Sequence, residues 1–181
     1  MKLDNLDFTP HADTLVAVVL GALLATLSGF AATLLESAFK RRERERDAAL
    51  FFGELLSTLN VILDAVVAAH GRGQPYGPFT MRMLRVARRE LDIYDRNREG
   101  LSELRDGLLR TAVHSLIVRM SIPIDSLLEN TEAADEDRDV GFSFLVEGCA
   151  EIGPLVERLG KLARHSFAGY AETARGPRFP A

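Results

Sequence analysis

The uncharged run from Leu15 to Leu35 constrains this chain more than any other feature of its sequence. Its 21 residues include no charged side chain, and eleven of them are Leu, Val or Phe. As an α-helix the run is about 31 Å long, at roughly 1.5 Å per residue, which matches a hydrocarbon core of about 30 Å. No charge opposes its insertion into that core. We therefore predict a single transmembrane helix over residues 14–39.

Two other structures can give an uncharged run of this kind. A secretory signal peptide would use residues 15–27 as its apolar core and would be cut after Ala31, but such a signal begins with a basic region. Here Lys2 is outweighed by Asp4, Asp7 and Asp13. The second alternative is the buried helix of a soluble protein, for which 21 residues without a charge are unusually many. The sequence favours the membrane span over both.

The charged segment after the run predicts the orientation of the span. One Lys precedes the run, whereas five basic residues follow within eleven positions, namely Lys40, Arg41, Arg42, Arg44 and Arg46. Acidic neighbours do not cancel them, because orientation follows the count of basic residues alone. We therefore expect a short extracytoplasmic N-terminus over residues 1–13 and a cytoplasmic location for the rest. Residues 40–47 should form a charged juxtamembrane helix whose basic side chains contact lipid headgroups, each for about 1 kcal/mol.

Apolar residues recur at helical spacing in four segments beyond the charged one. The expected apolar faces are Phe52, Leu56, Leu59, Leu63 and Val66; Leu84, Ala87, Leu91 and Tyr94; Leu104, Leu108, Ala112, Leu116 and Met120; and Leu145, Gly148, Ile152, Leu155, Leu159 and Leu162. No segment shows the alternating pattern of a strand. We predict an all-α fold, with the span followed by a cytosolic antiparallel bundle of about four helices over residues 48–170 and a flexible tail over 171–181.

Breaks between these segments are marked by glycine, proline and charge. The stretch "GRGQPYGPF" at 71–79 ends the first segment, and Thr80 is positioned to cap the next helix. That helix should end near Gly100, and the following one should begin at about Ser102 and bend at Pro123. The stretch "TEAADEDRD" at 131–139 reads as an acidic loop. In the last segment, Pro154 predicts a kink or a split.

Small residues follow one another at intervals of four along the predicted span. They are Gly21, Ala25, Gly29 and Thr33. Small side chains allow two helix backbones to approach closely in lipid, where no hydrophobic effect draws helices together. This pattern predicts a helix-packing face toward a second copy or another membrane protein. The alternative is that these residues are incidental, since Gly and Ala are common in membrane spans.

Four arginines share one face of the helix that begins near Thr80. They are Arg82, Arg85, Arg89 and Arg96. Such a face suits an acidic partner or a membrane surface, while the alternative is an ordinary solvated face. Nucleic acid is not expected as a partner, because no aromatic residues interleave with the arginines and the net charge of the chain is −4.

Residues that carry catalysis or bind metals do not form a known pattern here. The four histidines show none of the spacings of a metal site, and no phosphate-binding loop or nucleophile motif occurs. His114 should be exposed and not catalytic, and Cys149 should act as a small buried apolar residue. We therefore expect neither an enzyme nor a cofactor.

These observations together favour a non-enzymatic single-span protein of the inner, cytoplasmic membrane of a bacterium. The bacterial assignment follows from the composition, which is rich in Arg and Ala. The helical bundle would be an interaction module, either in a homo-oligomer or in an accessory subunit of a larger membrane complex. The main alternative is a membrane-tethered signalling or effector protein whose bundle switches on ligand binding, and an enzyme ranks third.

Overall fold

The computed structural model describes residues 9–72, 75–129 and 135–169. Its helices are α1 (Thr9–Gly71), α2 (Pro78–Asn97), α3 (Gly107–Glu129) and α4 (Asp135–Ala163), with a 3₁₀ helix over Arg98–Glu103. The described residues include no strand, and the predicted all-α class is confirmed. Outside the described residues lie most of the predicted N-terminal segment, residues 131–134 of the predicted acidic loop, and the predicted tail.

The chain divides into two compact units, residues 1–42 and residues 43–181. In the first unit the described residues belong to α1, and every described side chain from Val16 to Arg42 is exposed. Large apolar side chains point outward on all sides of this helix, each at least half exposed. This part of α1 is long and apolar enough to cross a membrane, although a signal sequence has the same properties. The prediction of one helix that could span a membrane is confirmed for the described chain.

The second unit has one apolar core, to which all four helices contribute. The faces predicted for α1 and α2 are confirmed, since all nine residues are buried: Phe52, Leu56, Leu59, Leu63, Val66, Leu84, Ala87, Leu91 and Tyr94. Burial of one such large apolar side chain stabilises a fold by roughly 1.5–3 kcal/mol. The local period of the sequence was sufficient here because both stretches are uninterrupted helices.

The apolar face predicted for α3 is partly wrong. Leu108 is 80% exposed, and Leu104 is buried ahead of the helix rather than within it. Asp106 is the cause, because its carboxylate accepts hydrogen bonds from the backbone N–H groups of Leu108 and Leu109, both at 3.0 Å. This cap starts the helix at Gly107 and resets its phase. The buried face is instead Leu109, Val113, Leu116, Ile117, Met120, Ile124 and Leu127.

Two further boundary predictions are corrected by the structure. Helix α2 begins at Pro78, after Gly77, so Thr80 lies inside it and is buried rather than serving as its cap. Proline suits the first turn of a helix, because the N–H that it lacks has no partner there. Pro154 does not split α4, which runs as one helix from Asp135 to Ala163.

The chain turns back at the end of α4. Arg164 has a φ of 53°, and the N–H of His165 donates to the carbonyl of Gly160 at 3.0 Å. This is the bonding pattern of a helix that ends in a left-handed residue. The turn brings Phe167, which is 6% exposed, against Gly53 of α1 and Gly160. The core therefore extends beyond the last helix that the sequence predicts.

Candidate functional site

The four arginines of the predicted partner surface lie on the outer side of α2. Arg82, Arg85, Arg89 and Arg96 are all exposed. At roughly 100° per residue they fall within about 60° of the helix circumference, opposite the buried side that contains Leu91. The helix thus presents one basic face to solvent, which we call the arginine face.

Most of the positive charge on the arginine face is not neutralised by the residues that the structure describes. Among the described residues, no carboxylate pairs with Arg82, Arg85 or Arg89. By contrast Arg88, which lies off this face, binds Asp92 at 2.8 Å and Asp125 at 2.7 Å. The exposed guanidinium groups are therefore available to an external anion, and fork-shaped guanidinium groups suit carboxylates well.

The predicted lipid-contacting residues are exposed, but two of them have contacts within the chain. Lys40 pairs with Glu36 at 2.7 Å, and both side chains are exposed. Arg46 donates from Nε to the carbonyl oxygen of Ala163 at 2.9 Å. A cation at this position satisfies a carbonyl at the end of α4 and complements the helix dipole. Arg46 therefore has a structural role that its sequence context does not indicate, and contact of Lys40, Arg41, Arg42, Arg44 and Arg46 with lipid stays a prediction.

The small residues of the predicted helix-packing face are open to their surroundings. Gly21, Ala25, Gly29 and Thr33 are all exposed. A Cβ atom added at Gly21 or Gly29 would meet no other heavy atom within 4 Å. The Thr33 hydroxyl donates to the carbonyl of Gly29 at 2.9 Å, so its polarity is satisfied within the helix. No described residue of the first unit blocks the approach of a second helix to this side.

A polar and aromatic cluster that the sequence did not indicate surrounds His70 at the end of α1. Its ring stacks on Phe142 of α4 at 3.9 Å between centroids, and its Nε2 lies 3.6 Å from Asp139. The hydroxyl of Tyr76 donates to Asp139 at 2.6 Å, and the guanidinium of Arg138 lies over the Tyr76 ring. The hydrogen bond from Tyr76 is the main cause that holds the pKa of Asp139 below its usual value. These contacts fasten the loop before α2 to the start of α4.

Two further residues considered as reactive groups have ordinary structural surroundings. His114 is exposed, as predicted, and its Nδ1 lies 2.6 Å from the hydroxyl of Tyr94. Burial is the main cause that raises the pKa of Tyr94. Cys149 is partly buried, and burial together with the charge of Asp64 raises its pKa to about 11. At neutral pH this thiol is protonated and a poor nucleophile.

An exposed apolar groove lies between α3 and α4, and the sequence analysis missed it. Ile122 on α3 is 65% exposed, and Val140 and Phe144 on α4 are each 57% exposed. Three charged residues, Arg119, Asp137 and Glu147, line the same groove. The sequence did contain one sign of the groove, because these three apolar residues do not belong to the core faces of their helices. We call this site the α3–α4 groove.

Neither a metal-binding cluster among the described residues nor a match to a known protein adds to this description. Within the described ranges, no group of three or more His, Cys, Asp or Glu side chains could hold a metal ion. No protein-family model, curated protein or solved structure matches the chain. The exposed helix, the arginine face and the α3–α4 groove are therefore the features from which a function is argued.

Proposed function

We propose that this chain is a non-enzymatic single-span membrane protein whose second unit is a cytosolic interaction module. The proposal rests on the difference in exposure of apolar side chains between the two units. From Val16 to Phe39 the large apolar side chains of α1 are at least half exposed on all sides, whereas the second unit buries its apolar residues in a core of its own. A helix with so much uncovered apolar surface is unstable in water and stable in lipid. The signal-peptide alternative has the weaker support, since its leading region is acidic.

The module would be an antiparallel four-helix bundle, and contacts between α1 and α4 support this. Arg46 lies early in the part of α1 that belongs to the second unit, and it bonds Ala163 at the end of α4. His70 lies at the end of α1 and stacks on Phe142 near the start of α4. Contacts that join the start of one helix to the end of the other, at both ends, are typical of two antiparallel helices.

Contacts of α2 support the same order. Tyr94, late in α2, packs against Phe52 of α1 with ring centroids 6.1 Å apart, and it bonds His114, early in α3. Arg88, earlier in α2, binds Asp125, late in α3. Helix α2 would therefore run antiparallel to both of its neighbours, as the short connections between helices favour.

The basic residues that follow the span support a cytoplasmic location for the module. The test of this topology uses the full chain in a bacterial host. A C-terminal fluorescent protein should mature, and a C-terminal periplasmic phosphatase should stay inactive, because the arginines hold this end inside. Strong phosphatase activity would reverse the orientation and favour a signal peptide.

The arginine face supports an acidic partner, whether another membrane protein or a second copy. The test is the mass of the full-length complex extracted in mild detergent at low salt. Changing Arg82, Arg85 and Arg89 together to Gln should reduce the bound partner several-fold, and salt should have the same effect on the wild type. The matched control is Arg72→Gln, which removes one exposed arginine outside α2. An unchanged complex in the triple variant would exclude the arginine face as the partner site.

A further inference from the structure

We propose that the α3–α4 groove receives a helix of a partner protein, one that carries an apolar stripe with a basic residue at each end. The proposal rests on the proposed function, because it names a class of partner for the interaction module. The groove is a different surface from the arginine face and from the small residues of the span. Its charge, its length and its backbone each favour this occupant.

The charge that stays unpaired in the groove is acidic. Arg119 on α3 is neutralised, because both of its guanidinium NH₂ groups bind the carboxylate of Glu151 on α4. The other charged residues of the groove are Asp137 and Glu147, and both are exposed. No cation in the described part of the chain pairs with either carboxylate. Two unpaired carboxylates favour a basic partner over an acidic protein or an anionic lipid surface.

The two carboxylates stand at opposite ends of an apolar stripe on α4. The residues of α4 that line the groove recur at intervals of three and four, namely Asp137, Val140, Gly141, Phe144, Glu147 and Gly148. At roughly 1.5 Å per residue, Asp137 and Glu147 are about 15 Å apart along the helix. Val140 and Phe144 lie between them, each 57% exposed, and Ile122 lines the groove from α3. A partner that covers these apolar residues and pairs with both carboxylates must therefore be elongated, with its cations at the two ends.

The backbone of the groove favours a helix over an extended peptide. Helices α3 and α4 both continue along the groove, so their backbone groups are bonded within each helix. At Pro123 one N–H is missing, which frees only the carbonyl four residues earlier, and one acceptor cannot pair an extended strand. An extended peptide in this apolar groove would leave its own N–H and C=O groups without partners, whereas a helix satisfies them internally.

The floor of the groove is already formed in the isolated chain. Gly148 of α4 lies so close to α3 that a Cβ atom there would overlap the buried side chain of Met120. A partner would therefore lie across the two helices rather than insert between them. This is the position in which a third helix packs on a pair, and the apolar residues of that helix would recur at intervals of three and four.

The first experiment measures the binding of a synthetic helix to the full chain in one mild non-ionic detergent. The probe is a fluorescent peptide of about fifteen residues, rich in alanine and glutamine, with two leucines between two lysines on one face. Its lysines are eleven positions apart, or about 16 Å, close to the separation of Asp137 and Glu147. The control peptide has the same composition, with both lysines at one end. We expect fluorescence anisotropy to show at least several-fold weaker binding of the control peptide, and equal binding of the two peptides would overturn the proposal.

The second experiment reverses the acidic charges of the groove. Asp137→Lys together with Glu147→Lys should weaken binding of the probe by at least about ten-fold, and this variant should bind a probe whose lysines are replaced by glutamates. The matched control is Asp95→Lys with Glu99→Lys, which changes the net charge equally at exposed positions outside the groove. Equal weakening by the two double variants would assign the effect to net charge and would overturn the proposal.

A third variant tests the apolar part of the groove without changing its charge. Phe144→Ser should weaken binding of the probe several-fold, and circular dichroism should show an unchanged fold because this side chain lies outside the core. The matched control is Val146→Ser, which removes an exposed apolar side chain of α4 that does not line the groove. Equal binding by the two serine variants would exclude the groove as the site of the probe.

The outcomes separate the groove from the proposed function. If the chain spans the membrane and binds a protein but not the probe, only the groove proposal fails. If the probe binds the groove while the C-terminal phosphatase fusion is active, the groove proposal stands and the cytosolic location fails. If the probe binds only after a dimer of the full chain has been dissociated, the occupant is a second copy and the proposal is overturned.

Discussion

The Phe167 ring occupies the space that a side chain at Gly53 would fill. We therefore predict that Gly53→Ala lowers stability in the native chain but raises it in a chain that also carries Phe167→Ala. A Cβ atom at Gly53 would overlap the Phe167 ring, which is 6% exposed. In the native chain, Gly53→Ala must therefore displace the ring or the helix. With Phe167→Ala, the same substitution should meet open space.

The expected magnitudes follow from two opposing terms. Gly53→Ala should stabilise α1 by about 1 kcal/mol, because Ala is the better helix former. Overpacking against Phe167 should cost about 2–3 kcal/mol, so the net change in the native chain is a loss of about 1–2 kcal/mol. In the Phe167→Ala background only the gain remains. Phe167→Ala alone should cost about 3 kcal/mol, since it empties a buried site. The coupling energy between the two positions is then about 2–3 kcal/mol.

The assay is thermal unfolding of the four full-length chains in one mild detergent, followed by circular dichroism. A change of 1 kcal/mol shifts the midpoint by about 4 °C for a unit of this size. Gly53→Ala should lower the midpoint of the native chain and raise that of Phe167→Ala. Equal shifts in both backgrounds would refute the reasoning, because the Phe167 ring would then not occupy the space at Gly53.

Three further predictions concern the second unit. Arg164→Gly should raise stability by about 1 kcal/mol, because Arg164 has a φ of 53° that costs a side chain more than it costs glycine; an unchanged midpoint would contradict this strain. Leu59→Asp should abolish cooperative unfolding, since it puts an unpaired charge in the core at a cost of several kcal/mol, whereas Ser115→Asp at an exposed site should not. The bond from the Leu109 N–H holds the pKa of Asp106 below its usual 3.8. The stability that this carboxylate provides is present above that pH and is lost as the pH falls through its folded pKa. The melting temperatures of wild type and Asp106→Ala should differ at pH 7 and converge in strong acid, and a constant difference would exclude the carboxylate as the cause.

Local sequence period predicted the fold where helices are uninterrupted and failed where a cap reset their phase. The buried faces of α1 and α2 followed from steps of three and four, because burial of one side imposes that spacing. The face of α3 was misassigned at Leu104 and Leu108, since Asp106 between them ends one segment and starts another. A pattern of apolar residues does not record such an interruption. The Asp before the apolar run was its available signal.

Contacts between distant parts of the chain were beyond a reading of local pattern. Arg46 and Ala163 are 117 positions apart, and nothing near either residue indicates the other. Phe167 follows the last predicted stripe, and its burial depends on Gly53 in a different helix. The spacing of apolar residues indicates which side of a helix is buried, but it does not indicate which distant residue packs against that side.

The sequence pattern also did not predict the α3–α4 groove, because a local pattern does not show which residues of two helices meet. Ile122, Val140 and Phe144 do not lie on the core faces of their helices. A search for apolar residues at core spacing therefore does not select them. Each costs free energy in water and contributes nothing to the core of the isolated chain. Two of them stand one turn apart on α4, and the third faces them from α3. These apolar residues break the folding pattern and still meet in space, and local rules are broken most often at functional sites. Because this surface lies outside the core, Phe144→Ser should melt at the wild-type temperature, and a lower melting temperature would show that Phe144 supports the core.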